Sequence, residues 1–259
     1  MLSDLFVTHI SIDPAIQCES YVEQLPVVRG LRSSSGMNIT SGITILVGEN
    51  GVGKSTLIEA LAVNLGFNPE GGTRNFNFAT ADTHSNLSNA LKVLKGIYGP
   101  EDGFFLRAEG FYNTASYIDQ LDSEGGFGAP IVSSYGGKSL HQQSHGESFM
   151  AVAENHFGGR GLYILDEPEA ALSPQNILRL MVIIERLAQK DSQFFIATHS
   201  PLLMALPHAQ VLQLSEDGIH PVDYRETSHF QITKAFLNNP EKMLGYLFGE
   251  EEIQLNSEE

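Results

Sequence analysis

One glycine-rich segment constrains the fold of this chain more than any other feature. It reads Gly48-Glu49-Asn50-Gly51-Val52-Gly53-Lys54-Ser55-Thr56 and fits the pattern G-x-x-x-x-G-K-[ST]. An unbroken apolar run, ITILVG at 43–48, leads into it, and residues 54–65 follow with apolar side chains at helical spacing. Such a run is typical of a strand buried on both faces. Strand, glycine-rich turn and helix in this order predict an α/β fold with a mainly parallel sheet flanked by helices.

The same segment predicts a phosphate site. Its glycines allow the backbone to curl so that N–H groups converge on phosphate oxygens, and the positive end of the next helix faces the same anion. In a nucleotide complex we expect Lys54 to reach the β- and γ-phosphates and Ser55 to give its hydroxyl to Mg²⁺. All nine residues from Gly48 to Thr56 are therefore candidate nucleotide-binding residues.

Two carboxylates follow a second apolar run. Leu162 to Leu165 precede Asp166 and Glu167. A buried parallel strand delivers such side chains to the carboxyl edge of the sheet, where ligands bind in open α/β folds. We expect Asp166 to hold the Mg²⁺ shell. Because strand side chains alternate, Glu167 should point elsewhere and polarise the attacking water.

The remaining pattern is less regular. It predicts further strands at 4–12, 104–108, 193–200 and 210–214, and helices at 147–157, 174–190 and 230–249, with a weaker helix at 85–97; residues 31–42 and 122–146 are interpreted as loops.

Charge and cysteine content limit the possible surroundings. The chain has 15 Lys and Arg against 31 Asp and Glu, a net charge of −16, which argues against a broad nucleic-acid surface. Its one cysteine, Cys18, excludes an internal disulfide, so we expect a reducing, cytoplasmic location. No run of 18 apolar residues is present, so no intrinsic membrane segment is expected. The acidic tail at 249–259 is interpreted as a solvated terminus.

Motif order then gives a family resemblance. After the phosphate loop come Ser144-His145-Gly146-Glu147-Ser148, then ILDEPEAAL around Asp166, then FFIATHSP around His199. These motifs resemble the ABC-type ATPases of the P-loop superfamily, and SHGES resembles the variant signature of a group of soluble bacterial "AAA family" ATPases. The resemblance covers most of residues 40–214. It departs from the usual L-S-G-G-Q at His145 and Glu147.

The resemblance implies one ABC-type ATPase domain over residues 1–259, with a small helical lobe at about 110–160. It implies a head-to-tail dimer in which Ser144, Gly146 and Glu147 of one copy meet the ATP held by the other. His199 would then monitor the γ-phosphate. Glu109 stands near the place of the family's usual Gln and is a candidate Mg²⁺ ligand. Two alternatives stay open: SHGES as an ordinary N-capped helix start, and Glu109 as an exposed loop residue.

The predicted activity is Mg²⁺-dependent hydrolysis of ATP, with Lys54, Glu167 and His199 as catalytic residues. The predicted role is an ATP-driven homodimer that switches an unidentified partner protein. One alternative is the nucleotide-binding subunit of a membrane transporter. Another is a slow, ATP-gated binding module.

Overall fold

Two β-sheets organise the chain, which this computed structural model describes at residues 5–74, 85–108, 110, 116–117, 137 and 144–249. The strands are β1 Val7–Ile12, β2 Met37–Asn38, β3 Ile43–Val47, β4 Leu91–Lys95, β5 Asp102–Arg107, β6 Gly161–Asp166, β7 Gln193–Ala197, β8 Gln210–Ser215 and β9 Gly218–Pro221. The helices are α1 Ser20–Glu23, α2 Pro26–Ser33, α3 Lys54–Asn64, α4 Leu87–Ala90, α5 His145–Asn155, α6 Pro174–Ala188, α7 Pro201–Met204, α8 Ser228–Asn238 and α9 Pro240–Phe248.

The larger sheet has the strand order β5-β6-β7-β3-β8-β9. Its neighbours pair in parallel from β5 to β8, and β9 pairs antiparallel with β8. Strand β7 therefore lies between β3, which leads into the phosphate loop, and β6, which ends in Asp166. Because the parallel strands share a direction, the residues that follow β3, β6 and β7 meet at one edge of the sheet.

The smaller sheet is antiparallel, with the order β2-β1-β4. The side chain of Gln193, at the start of β7, joins it to the larger sheet. Its Oε1 accepts the N–H groups of Phe6 and Val7, each at 2.9 Å, and its Nε2 donates to the Val7 carbonyl at 2.8 Å. The Gln193 side chain is buried, and these three bonds give both polar atoms of its amide a partner.

Alternating strand residues fill an apolar core on each face of the larger sheet. On one face, Tyr163 and Leu165 of β6 pack in a cluster with Phe149 of α5 and Ile184 of α6. On the other, Leu162 and Ile164 belong to a cluster that contains side chains of α2 and α3. Burial on both faces explains why these strands read as continuous apolar runs.

The structure confirms the α/β class, the mainly parallel sheet and the elements around the predicted motifs. The helix expected at 85–97 is wrong, because only α4 is helical and the chain continues as strand β4, paired with β1. The loop expected at 31–42 is also wrong in part, since α2 extends to Ser33 and β2 follows. The closing helix at 230–249 is two helices, α8 and α9.

Some predictions concern residues outside the described ranges. Of the helical lobe expected at about 110–160, the structure describes mainly α5 and the turn that follows it. Most of the 122–146 loop and nearly all of the acidic tail lie outside those ranges. Among the described helices, none has both the length and the apolar character needed to cross a bilayer.

Candidate nucleotide site

The loop from β3 to α3 needs glycine at both of its ends. Gly48 has φ +155° and Gly53 has φ +96°. A Cβ added to Gly48 would stand 2.5 Å from the Leu214 carbonyl oxygen, and one added to Gly53 would stand 2.6 Å from Val27 Cγ1. The Val27 N–H also donates to the Val52 carbonyl at 3.1 Å. The loop is therefore held between β8 and α2, a helix that the sequence analysis missed.

The side chain of Lys54, the first residue of α3, lies within this loop. It is 5% exposed, and its ammonium donates to the carbonyls of Gly48 at 2.8 Å and Glu49 at 3.0 Å. Burial lowers the pKa of Lys54, and the nearby carboxylates of Glu167 and Asp166 oppose that shift. The side chain thus places a poorly solvated positive charge where the phosphate chain of a nucleotide would lie.

Ser55 and Asp166 join the loop to the end of β6. The Ser55 hydroxyl donates to Asp166 Oδ1 at 3.0 Å, and Asp166 is buried. Arg107, at the end of β5, places Nε 3.6 Å from Asp166 Oδ2 and Nη1 2.6 Å from Glu59 Oε2. The side-chain oxygens of the two residues predicted to bind Mg²⁺, Ser55 and Asp166, are therefore adjacent.

Glu167 follows Asp166 directly, one residue beyond the end of β6. It takes a left-handed backbone conformation, with φ +49° and ψ 52°, and its N–H donates to the Ala197 carbonyl at 2.9 Å. Its side chain is 42% exposed, and Oε1 lies 3.7 Å from His199 Nε2. The structure thus brings Glu167 and His199 together at the edge of the sheet.

His199 follows β7 and meets a second histidine. Its Nδ1 lies 2.8 Å from Nε2 of His229, on α8. Burial, and then the positive charge of Lys54, lower the pKa of His199, while the Glu167 carboxylate opposes the shift. These effects favour the neutral form of the His199 ring. His229 carried no signal in the sequence analysis, because it lies 30 residues away in an otherwise ordinary helix start.

Glu169 holds the segment that contains His199. Its Oε1 accepts the hydroxyl of Thr198 at 2.8 Å, the N–H of His199 and the N–H of Ser200 at 3.1 Å. Glu169 lies within the motif ILDEPEAAL, but no sequence pattern predicted a role for it. A carboxylate that accepts three bonds fixes the backbone after β7 relative to the turn after β6.

We expect Glu169→Ala to lower the free energy of unfolding by about 2 kcal/mol, because two backbone N–H groups and a hydroxyl lose a charged acceptor. Urea unfolding followed by circular dichroism measures the change. Glu169→Gln is the matched control, since it keeps an oxygen at the Oε1 position and should lose less than half as much. Equal losses in the two variants would contradict this role for the acceptor.

The SHGES segment begins helix α5. The Ser144 hydroxyl accepts the Glu147 N–H at 3.3 Å, and Glu147 Oε2 accepts the Ser144 N–H at 2.9 Å, which is a complete capping box. An added Cβ on Gly146 would stand 3.0 Å from the Ala171 carbonyl oxygen, so this helix start lies against the turn after Glu169. The N-cap alternative is therefore realised, and contact with a facing nucleotide stays a prediction. Glu109 lies outside the described residues.

Comparisons with known proteins agree with the ATPase motifs. Residues 28–102 match a family model described as "AAA domain". Residues 145–205 match one described as "AAA domain, putative AbiEii toxin, Type IV TA system". The ribose import ATP-binding protein RbsA 1 of Rhizobium meliloti (strain 1021) is 29% identical over 205 residues, covering 72% of this chain and 39% of that protein. The chain therefore spans about two fifths of that relative's length.

Solved structures with a similar course of the chain include an ATP-binding cassette of an ABC transporter, with a TM-score of 0.49, 14% identity and coverage of 93% of this chain and 99% of that one. Another is cbiO1 from Clostridium perfringens, part of the transporter complex cbiONQ, with a TM-score of 0.45, 17% identity and coverage of 95% and 99%. Transport is a role of those proteins.

Proposed function

Since the chain is an ABC-type P-loop ATPase in its fold and motif order, we propose that it binds ATP with Mg²⁺ and hydrolyses ATP to ADP and phosphate. The observation that carries this proposal is the 3.0 Å contact between Ser55 Oγ and Asp166 Oδ1. It joins the first turn of the phosphate-loop helix to the acidic end of β6, with the Lys54 ammonium in the same loop. Phosphate, metal and water sites then share one edge of the sheet.

The Ser55 and Asp166 oxygens fit magnesium. Mg²⁺ prefers oxygen ligands and, in nucleotide sites, is held by one or two protein oxygens together with substrate phosphates and water. Ser55 and Asp166 would hold the ion. When bound, it neutralises charge that develops on the β- and γ-phosphate oxygens.

The phosphate loop holds the substrate in place. Its N–H groups and the amino end of α3 bind phosphate oxygens, and Lys54 exchanges its bonds to the Gly48 and Glu49 carbonyls for bonds to phosphate. Low local dielectric strengthens this attraction, since Lys54 is buried.

Glu167 and His199 act on the attacking water. Glu167 takes a proton as the water oxygen bonds to the γ-phosphorus and the bond from that phosphorus to the β–γ bridging oxygen breaks. Half-exposure of the Glu167 carboxylate leaves it accessible to water. His199 Nε2 lies 3.7 Å from Glu167 Oε1 and therefore faces the same space. In this proposal it donates a hydrogen bond to a γ-phosphate oxygen.

A second copy of the chain completes the site in this proposal. The start of α5 is capped, and it is exposed at Ser144 and Glu147. An exposed helix N-terminus of this kind can meet the γ-phosphate of a facing nucleotide. Removing that phosphate by hydrolysis would weaken the contact and let the two copies separate.

Dimer formation is tested with Glu167→Gln, which should bind ATP without consuming it. Light scattering is expected to give twice the monomer mass with Mg²⁺ and ATP, and the monomer mass with ADP. The control is the same variant carrying Lys54→Ala, which should stay monomeric with either nucleotide. If the Glu167→Gln variant binds ATP but keeps the monomer mass, the proposed dimer is wrong, while the proposed nucleotide binding stands.

The process served by the ATPase has two candidates. The departure of SHGES from L-S-G-G-Q favours a dimer that switches an effector protein. Similarity to a protein named for ribose import favours the nucleotide-binding subunit of a transporter. Co-purification from detergent-solubilised cells separates them: an integral membrane partner supports transport, and an effector without membrane segments supports the switch. Dimerisation with negligible wild-type turnover would support the slow binding module.

A further inference from the structure

The hydrogen bond between His199 and His229 fixes how protons are arranged in the site. The two ring nitrogens, His199 Nδ1 and His229 Nε2, are 2.8 Å apart, so one must donate and the other accept. The direction of donation decides which nitrogen of His199 is left to face the reaction space. The charged neighbours of the His199 ring determine this direction.

The Glu167 carboxylate selects one direction. Its Oε1 lies 3.7 Å from His199 Nε2, so a proton on Nε2 points a positive dipole at a negative charge. Burial and the charge of Lys54 favour the neutral ring, in which only one nitrogen carries a proton. With that proton on Nε2, Nδ1 must accept and His229 must donate. Nε2–H of His229 can donate whether the His229 ring is neutral or protonated.

Resting on the proposed ATPase function, we infer that His229 is a positioning residue that holds His199 in the Nε2–H tautomer, ready to donate to the γ-phosphate. In this role His229 acts through His199, whose other ring nitrogen faces Glu167. A His199 ring in the other tautomer would present a lone pair to phosphate oxygens, which repel it. The hydrogen bond between His229 and His199 would therefore determine whether His199 can donate a hydrogen bond to the γ-phosphate.

The position of His229 is fixed by the start of α8. Thr227 caps this helix: it is 1% exposed, accepts the Phe230 N–H at 3.4 Å and donates to the Tyr224 carbonyl at 2.7 Å. His229 is the second residue of the helix, in the turn that this cap orders. The His199 and His229 rings also contact each other, with centroids 4.8 Å apart. A displacement of the start of α8 would therefore remove the donor from His199.

Long-range ¹⁵N–¹H NMR of uniformly labelled, nucleotide-free protein tests the tautomer directly, because protonated and bare ring nitrogens differ strongly in shift. The His199 signals are identified by their loss in His199→Asn. We expect a proton on Nε2 and none on Nδ1 at pH 7.5. A proton on Nδ1, or on both nitrogens, would overturn the inference. This measurement needs no ATP hydrolysis, so its failure is separate from failure of the proposed function.

Two variants connect the tautomer to turnover. His229→Leu removes the donor, so we expect the His199 signals to show both tautomers and kcat to fall about tenfold, with KM little changed. His229→Gln places an amide donor at the position of Nε2 and should keep the tautomer and most of the rate. Gln231→Leu, an exposed change on the same helix, is the control for damage to α8. A fall in kcat with an unchanged His199 tautomer would show a structural effect and overturn the positioning role.

Discussion

Replacing Lys54 with alanine is expected to raise the dissociation constant for Mg²⁺-ATP at least about a hundredfold. Hydrogen bonds to charged groups contribute about 1.5–3 kcal/mol each, and Lys54 is positioned to make two of them to phosphate from a buried site. The variant should still fold, because the two carbonyls that Lys54 now contacts, those of Gly48 and Glu49, lie in the loop that opens toward the ligand. Titration calorimetry measures the affinity.

The matched control is Lys95→Ala, which removes an exposed lysine from the small sheet and should leave the affinity within about twofold. Circular dichroism and urea unfolding of both variants separate lost binding from lost structure. An unchanged affinity in a folded Lys54→Ala protein would remove the proposed phosphate loop. Loss of affinity in both variants would point to net charge instead of a specific contact.

The parallel core could be predicted because its strands are buried on both faces. ITILV at 43–47, LYIL at 162–165 and FFIA at 194–197 are continuous apolar runs, and the structure places all three in adjacent central strands. Each run is followed by the polar residues of the site. A strand buried on both faces and the polar residues that follow it are adjacent in the sequence. The sequence pattern alone is therefore enough to predict both.

The small sheet could not be predicted in the same way. In β4 the residues LKVLK have apolar positions that also suit a helix, and Leu94 is 63% exposed. The strand forms because β1, about 80 residues earlier in the chain, offers it a partner. Strand preference depends on such pairing more than helix preference does, so tertiary context decided between the two. Helix α2 was missed because its apolar stripe is short and ends in a serine- and glycine-rich segment.

Some residues of the site could be predicted from local sequence, and others depend on tertiary contacts. Ser55, Asp166, Glu167 and His199 follow strands or glycine turns with recognisable spacing, so sequence was sufficient to nominate them. Glu169 and His229 contact residues that are distant in the sequence. Glu169 accepts three hydrogen bonds from the segment after β7, and the His229 ring contacts the His199 ring. A glutamate in a turn and a histidine at a helix start have no pattern that distinguishes them from surface residues. Only the folded arrangement brings both to His199.

Glu167→Gln is expected to lower the rate of ATP hydrolysis about 10²–10³-fold while leaving the affinity for Mg²⁺-ATP nearly unchanged. The amide has the size and shape of the carboxylate but cannot take a proton from the attacking water, and general-base catalysis contributes about 10²–10⁴ in rate. The fold should tolerate the change, because Glu and Gln carry similar cost at φ +49°. Removing the negative charge should also lower the pKa of His199 further, since Glu167 now opposes that shift.

Phosphate release at saturating Mg²⁺-ATP measures the rate, and calorimetry measures the affinity of the same samples. Glu154→Gln is the control: it neutralises a carboxylate on α5 that pairs with Arg179 and should leave both quantities within about twofold. A rate equal to wild type would remove Glu167 as the base. A loss of affinity equal to the loss of rate would instead assign Glu167 to holding the metal and nucleotide, because a residue that acts only on the transition state changes kcat without changing ground-state binding.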